Sequence, residues 1–183
     1  MSTPAIIGRT VSTTGWFIGR YHNWSGYIEG LGKTLYKAYH QDFNKDIEKM
    51  MHFLIDEHPA GWSNIVDQDL SLAPGFSTFQ SDVGFRDDHK LYFQQVEAYN
   101  ASERGRRAQC YCHGERHSTE ATIRTLNDPC AAEYAYIINE TSCIMTIHYC
   151  DFGTWHKIAE VDLNGDEPHW KDIDIDAVIE RTK

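Results

Sequence analysis

At 183 residues, with 41% hydrophobic and 13% aromatic side chains, the chain suits one domain with a full core, or one with a small appendage, rather than two independent domains. Its 27 acidic and 17 basic residues leave a formal charge of -10, which repels phosphate backbones and disfavours nucleic acids and anionic membranes as partners. A mean hydropathy of -0.54, with no apolar run near the ~18 residues that span a bilayer, argues against a membrane-spanning helix.

Met1 to Arg9 lacks a charged region followed by a long apolar one, so the expected location is a cytoplasm, the host cytoplasm if the protein is viral. Five cysteines, an odd number, fit reduced thiols there better than a disulfide framework. The glycosylation-like triplets at Asn23, Asn100 and Asn139 are then coincidental.

Residues 5–11 and 16–21 carry Ile6, Ile7, Val11, Trp16, Phe17 and Ile18 around Ser12-Thr13-Thr14-Gly15, which predicts a β-hairpin. After an aromatic and glycine-rich loop, Leu31, Thr34, Leu35, Ala38 and Tyr39 recur at helical spacing. The clearest helix follows: Ile47, Met50, Met51, Leu54 and Ile55 form one apolar stripe, with Asn44 as its expected cap and Pro59 as its stop. Residues 60–90 read as a long loop with at most one strand. Leu91 to Tyr99 fits either a strand or a helix, and Asn100 to Gln109 reads as a polar loop.

Ser118-Thr119-Glu120 is expected to open a short helix through Leu126, stopped by Asn127-Asp128-Pro129. Glu133 to Ile138, Cys143 to Tyr149 and Thr154 to Val161 then alternate apolar and polar across short turns, which predicts an antiparallel three-stranded meander. The expected architecture is α+β: an antiparallel sheet, made of the N-terminal hairpin and the C-terminal meander, with helices packed on one face. Residues 1–163 would form this domain. Residues 164–183 would be an acidic tail with a short helix marked by Ile175, Val178 and Ile179.

Several motifs fall short of a chemistry. Gly30-Leu31-Gly32-Lys33-Thr34 lacks the earlier glycine of a phosphate-binding loop, since position 27 is Tyr. Asp162, Asn164 and Asp166 open a calcium-loop pattern that fails at Glu167 and Ile173. Cys143, Cys150, His148 and His156 share the meander without a turn that would present a nucleophile. The better metal candidate is Cys110, Cys112, His117 and Cys130, with His113 between them, because thiolate and imidazole are zinc ligands; a structural zinc is the one cofactor this chain suggests.

Tyr21-His22-Asn23-Trp24-Ser25-Gly26-Tyr27 has two readings. His22, Asn23, Trp24 and Tyr27 could line a small-ligand or hydrolytic pocket, assisted by Arg104 or His113. Alternatively Trp24 and Tyr27 anchor a structural corner while Asn23 and Ser25 satisfy the backbone.

The same stretch, with Gly32 and Leu35 after it, resembles small uncharacterised proteins of bacteriophages and bacterial mobile elements, whose corresponding segment runs Tyr-x-His-Trp-Asp-Gly-Tyr-Pro, then Gly and Leu. Tyr99 to Gly105 loosely matches a Tyr-x-Arg-Asp-Arg-Gly piece, and Glu133-Tyr134-Ala135-Tyr136-Ile137 a Glu-Tyr-x-Tyr strand. Asn23, Ser25 and Ile28 replace that family's His, Asp and Pro, so any chemistry of the His and Asp would be lost here.

The resemblance implies a viral or mobile-element accessory protein and brings no enzymatic activity with it. The leading expectation is therefore non-enzymatic protein binding that blocks a host defence or host process. Asp166, Glu167, Asp172, Asp174 and Asp176 would face a partner with a basic surface, by imitation of a nucleic acid. A virion component is a third reading.

Overall fold

The computed structural model describes residues 3–11, 15–73, 108–112, 122–128 and 131–182. Strands β1 (Ala5–Thr10) and β2 (Phe17–His22) form the expected hairpin, with Ile7 opposite Arg20. Strands β5 (Tyr134–Asn139), β6 (Ile144–Asp151) and β7 (Thr154–Asp162) form the expected antiparallel meander. Two short strands, β3 (Trp62–Asn64) and β4 (Gln109–Cys110), complete a sheet whose order among the described residues is β4-β3-β2-β1-β5-β6-β7.

The sheet is mixed, which corrects the expectation of an antiparallel one. β1 runs parallel to β5, with Ile7 beside Tyr136, and β2 meets β3 in parallel where His22 pairs with Trp62. Both strands at the β1–β5 seam carry consecutive apolar residues. Ala5, Ile6 and Ile7 are fully buried, as are Ala135, Tyr136 and Ile138, because these central strands are covered on both faces.

Helices cover one face. A buried π-helical turn over Ile28–Gly32 leads into α1 (Lys33–Gln41), and α2 (Ile47–Met51) continues as a π-helical turn over His52–Asp56. Leu31, Leu35, Tyr39, Met50, Phe53 and Leu54 pack with Ile7, Tyr136, Ile138 and Met145 of the sheet. Each such aliphatic side chain contributes about 1.5–3 kcal/mol of transfer free energy. The cap of α2 is Asp46, whose carboxylate accepts from the Lys49 amide at 3.0 Å, and Asn44 instead adopts a left-handed φ of 49° in the turn before it. The apolar stripe ends at Asp56, ahead of Pro59.

On the other face, Ile6, Phe17, Ala135 and Ile137 pack with Ile123 and Ala132. The helix expected to run through Leu126 is not formed in its described part. Ile123 exchanges backbone hydrogen bonds with Gly19 at the edge of β2, and Asp128 holds the following turn by accepting from the amides of Arg124 and Thr125. The start of that segment, residues 91–99 and the turn Ser12-Thr13-Thr14 lie outside the described residues.

The acidic tail packs back on the domain. Trp170 is buried edge-on against Tyr36, and α3 (Ile175–Thr182) buries Ile179. Among the described residues no helix is long and apolar enough to cross a membrane.

Candidate functional site

The returning tail creates a trough along β5, β6 and α3, with a volume of about 700 Å³. Its floor is Tyr134 and Tyr149, rings inclined at 55° with centroids 5.1 Å apart, and Ile173, Ile175 and Ile179 supply apolar walls. Four carboxylates border it: Asp151 at the end of β6, then Asp172, Asp174 and Asp176 on alternate residues of the tail. Lys171 is the one cation in this lining.

The electrostatics follow from that arrangement. Burial raises the Tyr149 phenol above its ordinary range, and the charges of Asp151, Glu133 and Asp176 raise it further. The Tyr134 phenol is pushed up to about 12, first by burial and then by Tyr149 and Glu133. Both shifts report a site that resists additional negative charge.

A second cleft of about 410 Å³ continues from the trough, sharing Tyr134, Lys171, Ile173 and Ile175, and it ends at Tyr27 and Glu29. Asp172, Asp174 and Asp176 in the trough and Tyr27 in the cleft, nominated on separate grounds, thus line adjoining cavities. The rest of the opening loop goes elsewhere. His22 is fully buried, its Nε2 accepting from the Ile65 amide at 3.1 Å, and burial lowers its pKa to about 3. The Asn23 and Trp24 amides donate to Trp62 and Ser63 carbonyls, which fixes the corner beside β3. Trp24 and Tyr27 are 46% and 43% exposed.

Some nominated residues also serve the fold. Asp174 caps α3 by accepting from the Ala177 amide, and Glu167 accepts from the indole of Trp170 at 2.8 Å. Asp166 is exposed beyond the trough. Where a calcium loop was rejected, Asp162 accepts from the Asn164 amide, while Asn164 Oδ1 and the Gly165 carbonyl accept from the hydroxyls of Tyr39 and Tyr36. Arg104, His113, His117 and Cys130 lie outside the described residues.

At the opposite edge of the sheet, Cys110 and Cys112 meet His58, with one ligand atom from each within 4.8 Å of the others. Pro59 fixes φ at the first corner of the turn His58-Pro59-Ala60-Gly61, which closes with the Gly61 amide donating to the His58 carbonyl. Gly61 has a φ of +82°, and a Cβ there would sit 2.4 Å from the Tyr21 carbonyl oxygen. The Tyr111 amide donates to Gly61, and Cys110 pairs with Trp62, so the turn and β4 are held in register.

The imidazole is buried against Phe53 and Trp62, at centroid distances of 4.9 and 4.1 Å. Cys112 is drawn down to about 4 by the Cys110 hydrogen bond first, and also by His58 and the Ala60 amide. His58 was missed as a ligand because it is remote in sequence, and the signal was its place before a Pro-x-Gly turn. Tyr134 and Tyr149 were read only as strand residues.

Comparison with protein-family models, with curated proteins and with solved structures finds no match to this chain.

Proposed function

We propose that this chain is a non-enzymatic accessory protein of a bacteriophage or mobile element that binds a protein partner, and that the trough receives a basic segment of that partner. One observation carries the reading: four carboxylates border a concave surface floored by Tyr134 and Tyr149 and walled by isoleucines. A lysine or arginine can lay its aliphatic stem along such rings and present its charge to the carboxylates, which gives both desolvated contact and charge complementarity. The net charge of -10 would steer a basic partner in and keep nucleic acid out. The likeness of the Tyr21 to Tyr27 stretch to viral and mobile-element proteins supports the setting, in which occupying the basic groove of a host factor would block it.

The test uses defined peptides. A Lys/Arg-rich peptide should bind saturably at one per chain, with affinity falling as salt rises, while a neutral peptide of equal length should not. Equal binding of both peptides, or none of either, would overturn the reading.

A further inference from the structure

We propose that His58, Cys110 and Cys112 bind one zinc ion. Three features of the chain converge on that point. The donor atoms already lie within 4.8 Å of one another, although His58 is remote in sequence from Cys110 and Cys112. A tetrahedral zinc places two sulfurs about 3.8 Å apart and a sulfur and a nitrogen about 3.5 Å apart, so a small contraction closes the set. Two thiolates and an imidazole are soft to borderline donors, which select zinc over magnesium or calcium.

The surroundings are those of a ligand set held from outside. The Ala60 amide donates to Cys112 Sγ at 3.2 Å, the kind of bond that supports a metal-bound thiolate. Phe53 packs edge-on to the imidazole and Trp62 packs against it at a tilt, which fixes the ring's orientation. The rival reading, a cysteine nucleophile with a histidine base, suits this geometry less well. It leaves the second sulfur without a role, and the imidazole is buried away from any approaching substrate.

The ion would staple the two-residue strand β4 to the turn after α2, at the end of the sheet where pairing is shortest. Sequence reading placed zinc on Cys110, Cys112, His117 and Cys130; the described ligands retain both Cys-x-Cys sulfurs and add His58.

Chain purified without an affinity tag rich in histidine should carry about one zinc, and Cys112→Ser or His58→Ala should leave under a tenth of an equivalent, whereas Cys150→Ser should keep it all. If either variant misfolds, the wild-type chain still decides. Cobalt substitution should give thiolate charge-transfer and tetrahedral d–d absorption. Bound zinc should also shield Cys110 and Cys112 from maleimide at least tenfold, relative to chelator-treated chain, while labelling of Cys143 and Cys150 stays constant. Wild-type chain with under a tenth of an equivalent after zinc loading, or a Cys112→Ser chain that keeps its zinc, or unshielded cysteines, would overturn the assignment.

Discussion

The hydroxyl of Tyr136, in the centre of β5, donates to the carbonyl of Gly26 at 2.7 Å, and both residues are buried. The Gly26 amide in turn donates to the Thr3 carbonyl at 2.7 Å. A Cβ at Gly26 would come within 2.6 Å of both Ala5 Cβ and that same carbonyl. The corner that joins hairpin to helix is thus clamped between the N-terminus and the C-terminal meander. Tyr136→Phe should cost about 1–3 kcal/mol, because it leaves a buried carbonyl without its donor. Urea denaturation would measure this as a lower midpoint at unchanged slope.

Gly61 and Gly15 share a φ of +82°, yet among the described residues only Gly61 has neighbours where a side chain would grow. Gly15→Ala should therefore cost about 1 kcal/mol, the backbone penalty alone. Gly61→Ala adds a contact with the Tyr21 backbone that cannot yield, and should cost at least about 2 kcal/mol more. Thermal denaturation of the two variants side by side isolates that difference.

His22 should make the fold sensitive to acid. Its folded pKa is lowered to about 3 by burial, against 6.5 for an unperturbed side chain. Between those values the unfolded chain binds a proton that the folded chain refuses, so stability falls as pH drops through about 6.5 and stops falling near 3. The slope is about 1.4 kcal/mol per pH unit at its steepest. His22→Gln, which keeps an acceptor for the Ile65 amide, should flatten that part of the stability profile relative to wild type. Parallel profiles for the two chains would contradict this account.

What the residues disclose beforehand depends on whether their pattern is local. The hairpin, the α2 stripe and the meander were legible because period and turn chemistry sit within a few residues of each other. The parallel β1–β5 seam was not, since pairing of distant strands leaves only an indirect trace: uninterrupted apolar runs such as Ala5-Ile6-Ile7 and Tyr134-Ala135-Tyr136-Ile137-Ile138. The same limit hid His58, which joins Cys110 and Cys112 only through the β3–β4 pairing. His22 was misleading for the opposite reason. A polar residue in a glycine-rich loop suggests a pocket, and here the strand β2 carries it inward to satisfy the Ile65 amide.

The acid trough makes a prediction that separates binding from folding. Asp174 caps α3 and must be left alone, whereas Asp151 and Asp176 are the trough carboxylates that raise the Tyr149 phenol. Asp151→Asn with Asp176→Asn removes two charges while leaving the cap and the Tyr134–Tyr149 floor intact. Tyrosine absorbance titration should then move one phenol toward its ordinary value, because the negative charges that opposed its ionisation are gone. Affinity for the Lys/Arg-rich peptide should fall roughly two- to fivefold per carboxylate, with a shallower salt dependence. A phenol that shifts while peptide affinity stays constant would place the basic partner elsewhere on the surface, since the field would have changed without the binding noticing it.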